Sequence, residues 1–370
     1  MKNTFGQNVS LTLFGESHGS AIGAVLDGLA PGLPVDESHI AHQLSLRRPQ
    51  GAVSTARQEP DPFQILSGVF QGKTTGTPLC IMIPNQDTRS RDYAAQKDLA
   101  RPGHADYTAY CKYHGFADYR GGGHFSGRIT APLVAAGAIL LDALRQRGIL
   151  LGTHVLRCAG VNDRPFGDFE EDFALLSQLS FPVLKEAAAQ EMQEAILDAR
   201  EARDSVGGIL ETAVTGLPAG VGEPWFDTLE GVLSHALFSI PAVKGVEFGS
   251  GFALADMRGS EANDLFRMDN GKIVTESNHN GGINGGISNG MPLLFRCAVK
   301  PTPSISREQD TVDFIKEENA QLCIQGRHDP AVVHRARVVA DSVTALVLCD
   351  LLAQRFGTDW LKGDPTWNMD

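Results

Sequence analysis

Apolar positions along the chain alternate between strand-like and helix-like spacing, and the switches between them outline the elements. Val9 to Leu13 and Ala21 to Leu29 are short apolar runs of strand type around a tight polar turn, Gly15-Glu16-Ser17-His18-Gly19. That turn sets Ser17 and His18 at a strand end, where flanking glycines predict an exposed imidazole. Asp36 is a candidate N-cap for a helix through about Leu46, and the basic run Ser45 to Gly51 leaves it as a loop broken by Pro49 and Gly51. Ile81 to Ile83 continue a strand after Thr77-Pro78. Residues Ala131 to Arg147 recur at helical spacing, with Thr130 as candidate N-cap, Pro132 in the first turn and Gly148 beyond a basic last turn. Further helices are predicted over Val183–Arg203, Phe226–Phe238 and Val338–Arg355, the last ending at Gly357.

The two halves of the chain run through the same order. A glycine turn (GLAPG at Gly28, GLPAG at Gly216) is followed by a helix, a strand opened by GTPL or GMPL (Gly76, Gly290), a basic loop and a long apolar helix. This order suggests an internal duplication, although two unrelated αβ stretches would also share so few identities. If the duplication holds, residues 1–370 form one pseudo-symmetric domain with halves of about 1–150 and 205–357. The Arg101–Arg128 and Gln325–Arg337 segments would then face one cleft.

Composition narrows the function. With 370 residues the chain buries a large core without disulfides, and its 6 scattered cysteines show no CxxC pair or zinc spacing. They read as reduced thiols, no metal site is expected, and the default compartment is the cytoplasm. No run reaches the roughly 18 uninterrupted apolar residues of a membrane span. A net charge of −12 argues against nucleic-acid binding. Against that background Arg101–Arg128 is inverted: Arg101, Lys112, Arg120 and Arg128 oppose only Asp106 and Asp118, a balance of +2, with His104, His114 and His124 interspersed. Such a segment on a glycine-rich backbone suits a phosphate or another anion.

His124 follows Gly121-Gly122-Gly123 just before a helix N-terminus, but the run is neither GxGxxG nor GxxxxGK[ST], so neither a dinucleotide fingerprint nor a P-loop follows. The loop Ser277–Gly290, SNHNGGINGGISNG, serves equally as a surface hairpin cluster or as a cradle for a flat ring or a phosphate. Lys300–Ser304, KPTPS, offers an ammonium and hydroxyls on a proline-fixed backbone. Gly326–Pro330, GRHDP, groups Arg327, His328 and Asp329, either as a carboxylate able to hold a base or as a solvated charged turn.

In order and over nearly the whole chain, GESHG at Gly15, RPGHADYT at Arg101, YRGGG at Tyr119, SNHNGGINGGIS at Ser277, KPTPSI at Lys300 and GRHDP at Gly326 resemble the chorismate synthase family. The resemblance implies an α+β fold, a β-α-β sandwich with internal pseudo-symmetry and helices between antiparallel sheets, assembled as a homotetramer. It implies a shikimate-pathway lyase of aromatic amino acid biosynthesis that converts 5-enolpyruvylshikimate 3-phosphate to chorismate and phosphate by anti-1,4-elimination. Reduced FMN would be the cofactor, with NADPH as a candidate reductant and a separate flavin reductase as a candidate partner. Alternatives are another reduced-flavin lyase on a phosphorylated carboxylic acid, or a non-catalytic FMN-binding protein.

By the same resemblance His18 would protonate the departing phosphate and His104 would sit by the flavin, while Asp329 with Ser17 and Ser126 would relay the proton taken from carbon 6. Arg47, Arg48, Arg128 and Arg327 would hold phosphate and carboxylate. FMN would touch His124, Phe125, Ser126, Ala242, Gly285, Lys300, Pro301, Thr302, Pro303, Ser304 and Arg327. Three places depart from the family pattern. His124-Phe125 stand where an arginine and a serine are common, Pro241 where an asparagine is frequent, and the Ser45–Arg57 stretch is one residue shorter.

Overall fold

The computed structural model describes residues 2–49, 51, 53–54, 60–86, 97–324 and 328–362. Two antiparallel sheets carry the fold. In space the first runs Thr4–Phe5, Ser10–Gly15, Ala21–Asp27, Leu79–Pro84, Gln64–Ser67, and the second runs Val243–Phe248, Leu293–Val299, Gly208–Thr215, Leu150–Cys158, Val161–Asn162. Taken in chain order, four principal strands of each sheet are laid out first, second, fourth, third. In both sheets a helix follows the second strand (Glu37–Arg47; Leu229–Leu237) and a long helix comes after the fourth (Thr130–Gln146; Val333–Phe356).

Alternation along the strands decides which face meets the helices. Leu79, Ile81 and Ile83 point inward with Cys80 and Met82 half-exposed, and Leu293, Phe295, Cys297 and Val299 do the same in the second sheet. Each such side chain stabilises the fold by roughly 1.5–3 kcal/mol on burial. The long helices form the middle layer, Thr130–Gln146 against the first sheet and Val333–Phe356 against the second, and they pack on each other. Gly137 permits a close approach, since a Cβ there would stand 2.3 Å from that of Ser342.

Residues Val338 to Ala353 are buried without interruption, as a helix between two layers must be. Its polar members are satisfied: Asp341 accepts from Thr153 at 2.7 Å, and Asp350 accepts the amides of Gln7, Asn8 and Val9. The stretch Gly127–Gln146 is long and apolar enough to cross a membrane, yet 89% of its apolar window lies inside the fold.

Several boundaries differ from the sequence pattern. The helix expected from Val183 starts at Glu186 and is preceded by a separate one, Phe169–Gln178, and the last helix begins at Val333 rather than Val338. Thr130 is not a cap, because its hydroxyl donates to the Gly127 carbonyl at 2.6 Å and the short helical turn Gly127–Ile129 leads into the helix.

The first two principal strands of the first sheet are joined by Glu16–Ser20 alone, whereas in the second sheet residues 159–207 intervene and carry two helices. That excursion docks on the outer face through His154, whose ring nitrogens stand 3.1 Å from both Asp163 and Glu211. Carboxylates only accept, so both nitrogens carry protons. Burial alone would lower the His154 pKa, but the two carboxylates outweigh it and raise it. His154, Glu211, Arg296 and Glu247 lie directly opposite one another on successive strands, an alternating row of charge.

Candidate active site

The turn Glu16–Ser20 lies against the glycine run that precedes the Thr130–Gln146 helix. Gly121, Gly122 and Gly123 take φ of 59°, 83° and 54°, which L side chains resist. At Gly121 and Gly123 space excludes them too, whereas Gly122 has room for ordinary contact. A Cβ on Gly121 would stand 2.1 Å from His18 Nδ1 and 2.8 Å from Ser17 Oγ, and one on Gly122 would stand 3.4 Å from His104 Nε2 and 3.8 Å from Ser126 Cβ. Adjacent glycines thus press against two imidazoles. The Ser17 amide donates to the Gly123 carbonyl at 3.1 Å, and His124 Nδ1 reaches the Gly15 carbonyl at 2.8 Å. His18 is therefore buried and not the exposed loop-tip histidine that its glycine neighbours suggest, because the glycine run covers it.

His104 is held from behind. Its Nδ1 lies 2.9 Å from Asp106, which also takes a two-pronged pair from Arg101 at 2.7 Å on each oxygen. Burial raises the Asp106 pKa, but the hydrogen bonds from Arg101 and His104 outweigh it and hold the carboxyl far below the usual range. Asp106 can then only accept, and His104 Nδ1 lies between that acceptor and a guanidinium donor while Nε2 faces Gly122. Arg101 Nη2, 3.0 Å from the same Nδ1, adds a positive neighbour.

The arginines converge on a carboxylate. Arg47 pairs with Asp61 at 2.9 Å, Arg48 lies 3.6 Å from it, and Arg128 bonds its other oxygen. Arg335 donates to the Arg47 carbonyl at 2.8 Å and pairs with Asp329. Four guanidiniums against two carboxylates leave two positive charges in excess. Burial raises the Asp61 pKa, but Arg47 and Arg128 more than offset it and keep it lowered, whereas burial lowers that of Arg47. Asn85 joins this cluster to the histidine turn: its Nδ2 donates to the carbonyls of Glu16 and Gly19, each at 3.0 Å, and its Oδ1 accepts from Arg128 Nε at 3.1 Å.

A third wall comes from Lys300–Ser304. Lys300 Nζ donates to the Gly103 carbonyl, Pro303 Cβ would stand 3.4 Å from a Cβ on Gly103, and the Lys300 amide donates to Ala242 at 2.9 Å. Ser205 fixes the Thr302 carbonyl at 2.7 Å. Ser17 Oγ, Arg47 Nε and Thr302 Oγ1 are buried without a hydrogen-bond partner among the described residues, as polar atoms awaiting a polar ligand would be.

Comparison with known proteins settles the kinship. The sequence profile described as chorismate synthase matches residues 9–353. The chain belongs to the chorismate synthase family. It is 48% identical over 349 residues to the chorismate synthase of Methanosarcina mazei, covering 94% of this chain and 95% of that protein. It is 45% identical over 350 residues to that of Thermococcus kodakarensis, covering 95% and 97%. A solved structure titled "Crystal Structure of Chorismate Synthase" superposes with a TM-score of 0.77 at 29% identity, covering 97% of this chain and 96% of that one. The α+β class expected from the resemblance is the fold observed.

Against the family expectation, the structure gathers His18, Ser17, His104, Ser126 and His124 around the glycine run, and Arg47, Arg48, Arg128 and Asp329 around Asp61 and Arg335. Phe125 packs edge-on against Tyr113 at the rim. The hairpin bearing Gly285 is tied to Leu229 and Val221, and Arg327 lies outside the described residues. Sequence reasoning missed Asp61, Asn85 and Arg335 and the Ser54–His334 pair at 2.9 Å. Burial, with Arg335 beside it, lowers the His334 pKa to about 4, so this ring is neutral. The signals were faint: Asp61 sits between two prolines and Asn85 directly follows a strand-ending proline.

Proposed function

We propose that this chain carries out the anti-1,4-elimination of phosphate from 5-enolpyruvylshikimate 3-phosphate, forming chorismate, with reduced FMN held in the same site. The observation that carries this reading is the pressing of His18 and His104 against neighbouring glycines, with Asn85 linking that turn to the arginine cluster. A dianionic leaving group needs fixed positive charge and a proton, and the two lie side by side here.

Arg47, Arg48 and Arg128, with Arg327, would hold the phosphate and carboxylate groups. The carbon–oxygen bond to phosphate breaks with its electron pair on the leaving oxygen, which takes a proton from His18. Asp329, with Ser17 and Ser126, would carry away the proton lost from carbon 6. His104, whose Nε2 faces the glycine run, would stand beside the flavin, and His124 to Ser126, Ala242, Gly285, Lys300 to Ser304 and Arg327 would line its place. Bound reduced flavin supplies electron density to the substrate and recovers it, so no net redox change results. The orphaned Thr302 hydroxyl beside Lys300 suits such an anionic cofactor.

The reading extends to a homotetramer in the cytoplasm, its flavin reduced by NADPH on this protein or by a separate reductase. The assembly is supported by an apolar hairpin whose Phe266, Met268 and Ile273 are 63%, 69% and 65% exposed, an uncommon display for a lone chain. The test is anaerobic incubation with chemically reduced FMN and the enolpyruvyl substrate. Chorismate absorbance and free phosphate should rise together one for one; phosphate without chorismate, or neither, refutes the reading.

A further inference from the structure

We propose that Asn85 is a positioning residue that couples the His18 turn to Arg128, so that proton donation and anion binding share one geometry. The proposal rests on the reading of His18 and Arg128 given above. Asn85 ends the Leu79–Pro84 strand, and its own amide donates to the Ser20 carbonyl at 3.1 Å, which sets the side chain's root on the same turn.

Its side chain uses both donors and one acceptor direction. Both Nδ2 protons go to carbonyls, those of Glu16 and Gly19, which bracket Ser17-His18, and those carbonyls are acceptors only. Oδ1 faces Arg128 Nε, a donor only. The amide therefore cannot be turned over, and no other residue of this size fits: Asp lacks the two donors, Leu lacks all three bonds, and Gln carries one methylene too many. Arg128 is in turn fixed on its far side by Asp61. The path from imidazole turn to guanidinium cluster is thus a single side chain long. Displacement of either end by about 1 Å is the scale at which catalysis falls about 100-fold.

The experiment compares Asn85→Asp and Asn85→Leu in the full-length protein. Turnover is measured with the enolpyruvyl substrate and reduced FMN, and the His18 imidazole titration is followed by NMR on histidine-labelled protein without cofactor. Asn85→Asp keeps the acceptor for Arg128 but loses the grip on the turn. It should lower kcat at least 10-fold with KM within about threefold, and shift the His18 titration. Asn85→Leu should lower kcat about 100-fold and also raise KM, because Arg128 is released. Should Asn85→Leu not fold, the split between kcat and KM in Asn85→Asp decides alone. The proposal is overturned if Asn85→Asp raises KM as much as it lowers kcat, or if the His18 titration matches wild type. If wild-type protein makes no chorismate while the titration still moves, the coupling stands and the assigned reaction falls.

Discussion

Replacing Gly121 with alanine tests whether the two imidazoles work as a pair. The new methyl carbon would lie 2.1 Å from His18 Nδ1 and 2.2 Å from Cε1, so the ring must retreat by more than about 1 Å to reach ordinary contact. Backbone cannot absorb the difference, because Gly121 is the first of three left-handed residues and the Ser17 amide is pinned to Gly123. A retreat of that size costs about 100-fold in rate, or about 2.7 kcal/mol of barrier. The left-handed φ of 59° adds roughly 1 kcal/mol of lost stability, a fall of about 1–2 °C in the unfolding midpoint of a chain this long. Steady-state kinetics and thermal unfolding should therefore separate: kcat falls sharply while the fold persists. Gly127→Ala is the control, since no atom lies within 4 Å of its added carbon. The reasoning is refuted if Gly121→Ala keeps kcat within twofold of wild type, or if Gly127→Ala loses as much.

Asp61→Asn leaves the buried Arg47 guanidinium with a neutral partner and should lower the unfolding free energy by about 3 kcal/mol in denaturant titration. Because the folded pKa of Asp61 is lowered, the advantage of wild type over the variant is complete above about pH 4 and fades as pH falls toward the folded value; an advantage independent of acid would count against the pairing. His154 has the opposite sign, its folded pKa being raised. The stability margin of wild type over His154→Gln should be full below about pH 6.5 and shrink as pH rises through the folded value, and a flat margin from pH 6 to 9 would exclude a charged ring. Asp106→Asn gives His104 a neutral anchor, and turnover should drop about 10-fold or more with little change in unfolding midpoint. Unchanged turnover would remove Asp106 from the site.

Long helices and inward-pointing strands were legible in the sequence because period and apolar content both marked them, as in Ala131–Arg147 and Ile81–Ile83. The excursion after Leu150–Cys158 was less so: the helix expected from Val183 starts at Glu186, and the short helix Phe169–Gln178 before it left no expectation. Site residues carrying a charge or an imidazole beside glycine announced themselves. Asp61 and Asn85 did not, for their work depends on meeting Arg128 across 67 and 43 residues of chain, and no local pattern encodes such a meeting. The burial of His18 was misread for the same reason, because what covers it lies more than 100 residues away.

The cross-strand row His154, Glu211, Arg296, Glu247 gives the second sheet a means of proofreading its own assembly. The smallest slip that keeps inward side chains inward is two residues. It would set Glu211 against Leu294 or Ala298, and Arg296 against Ile209 or Ala213, stranding charges beside hydrocarbon. Misaligned pairings are thereby penalised strand by strand, and the aligned sheet is the arrangement in which every sign along the row meets its opposite.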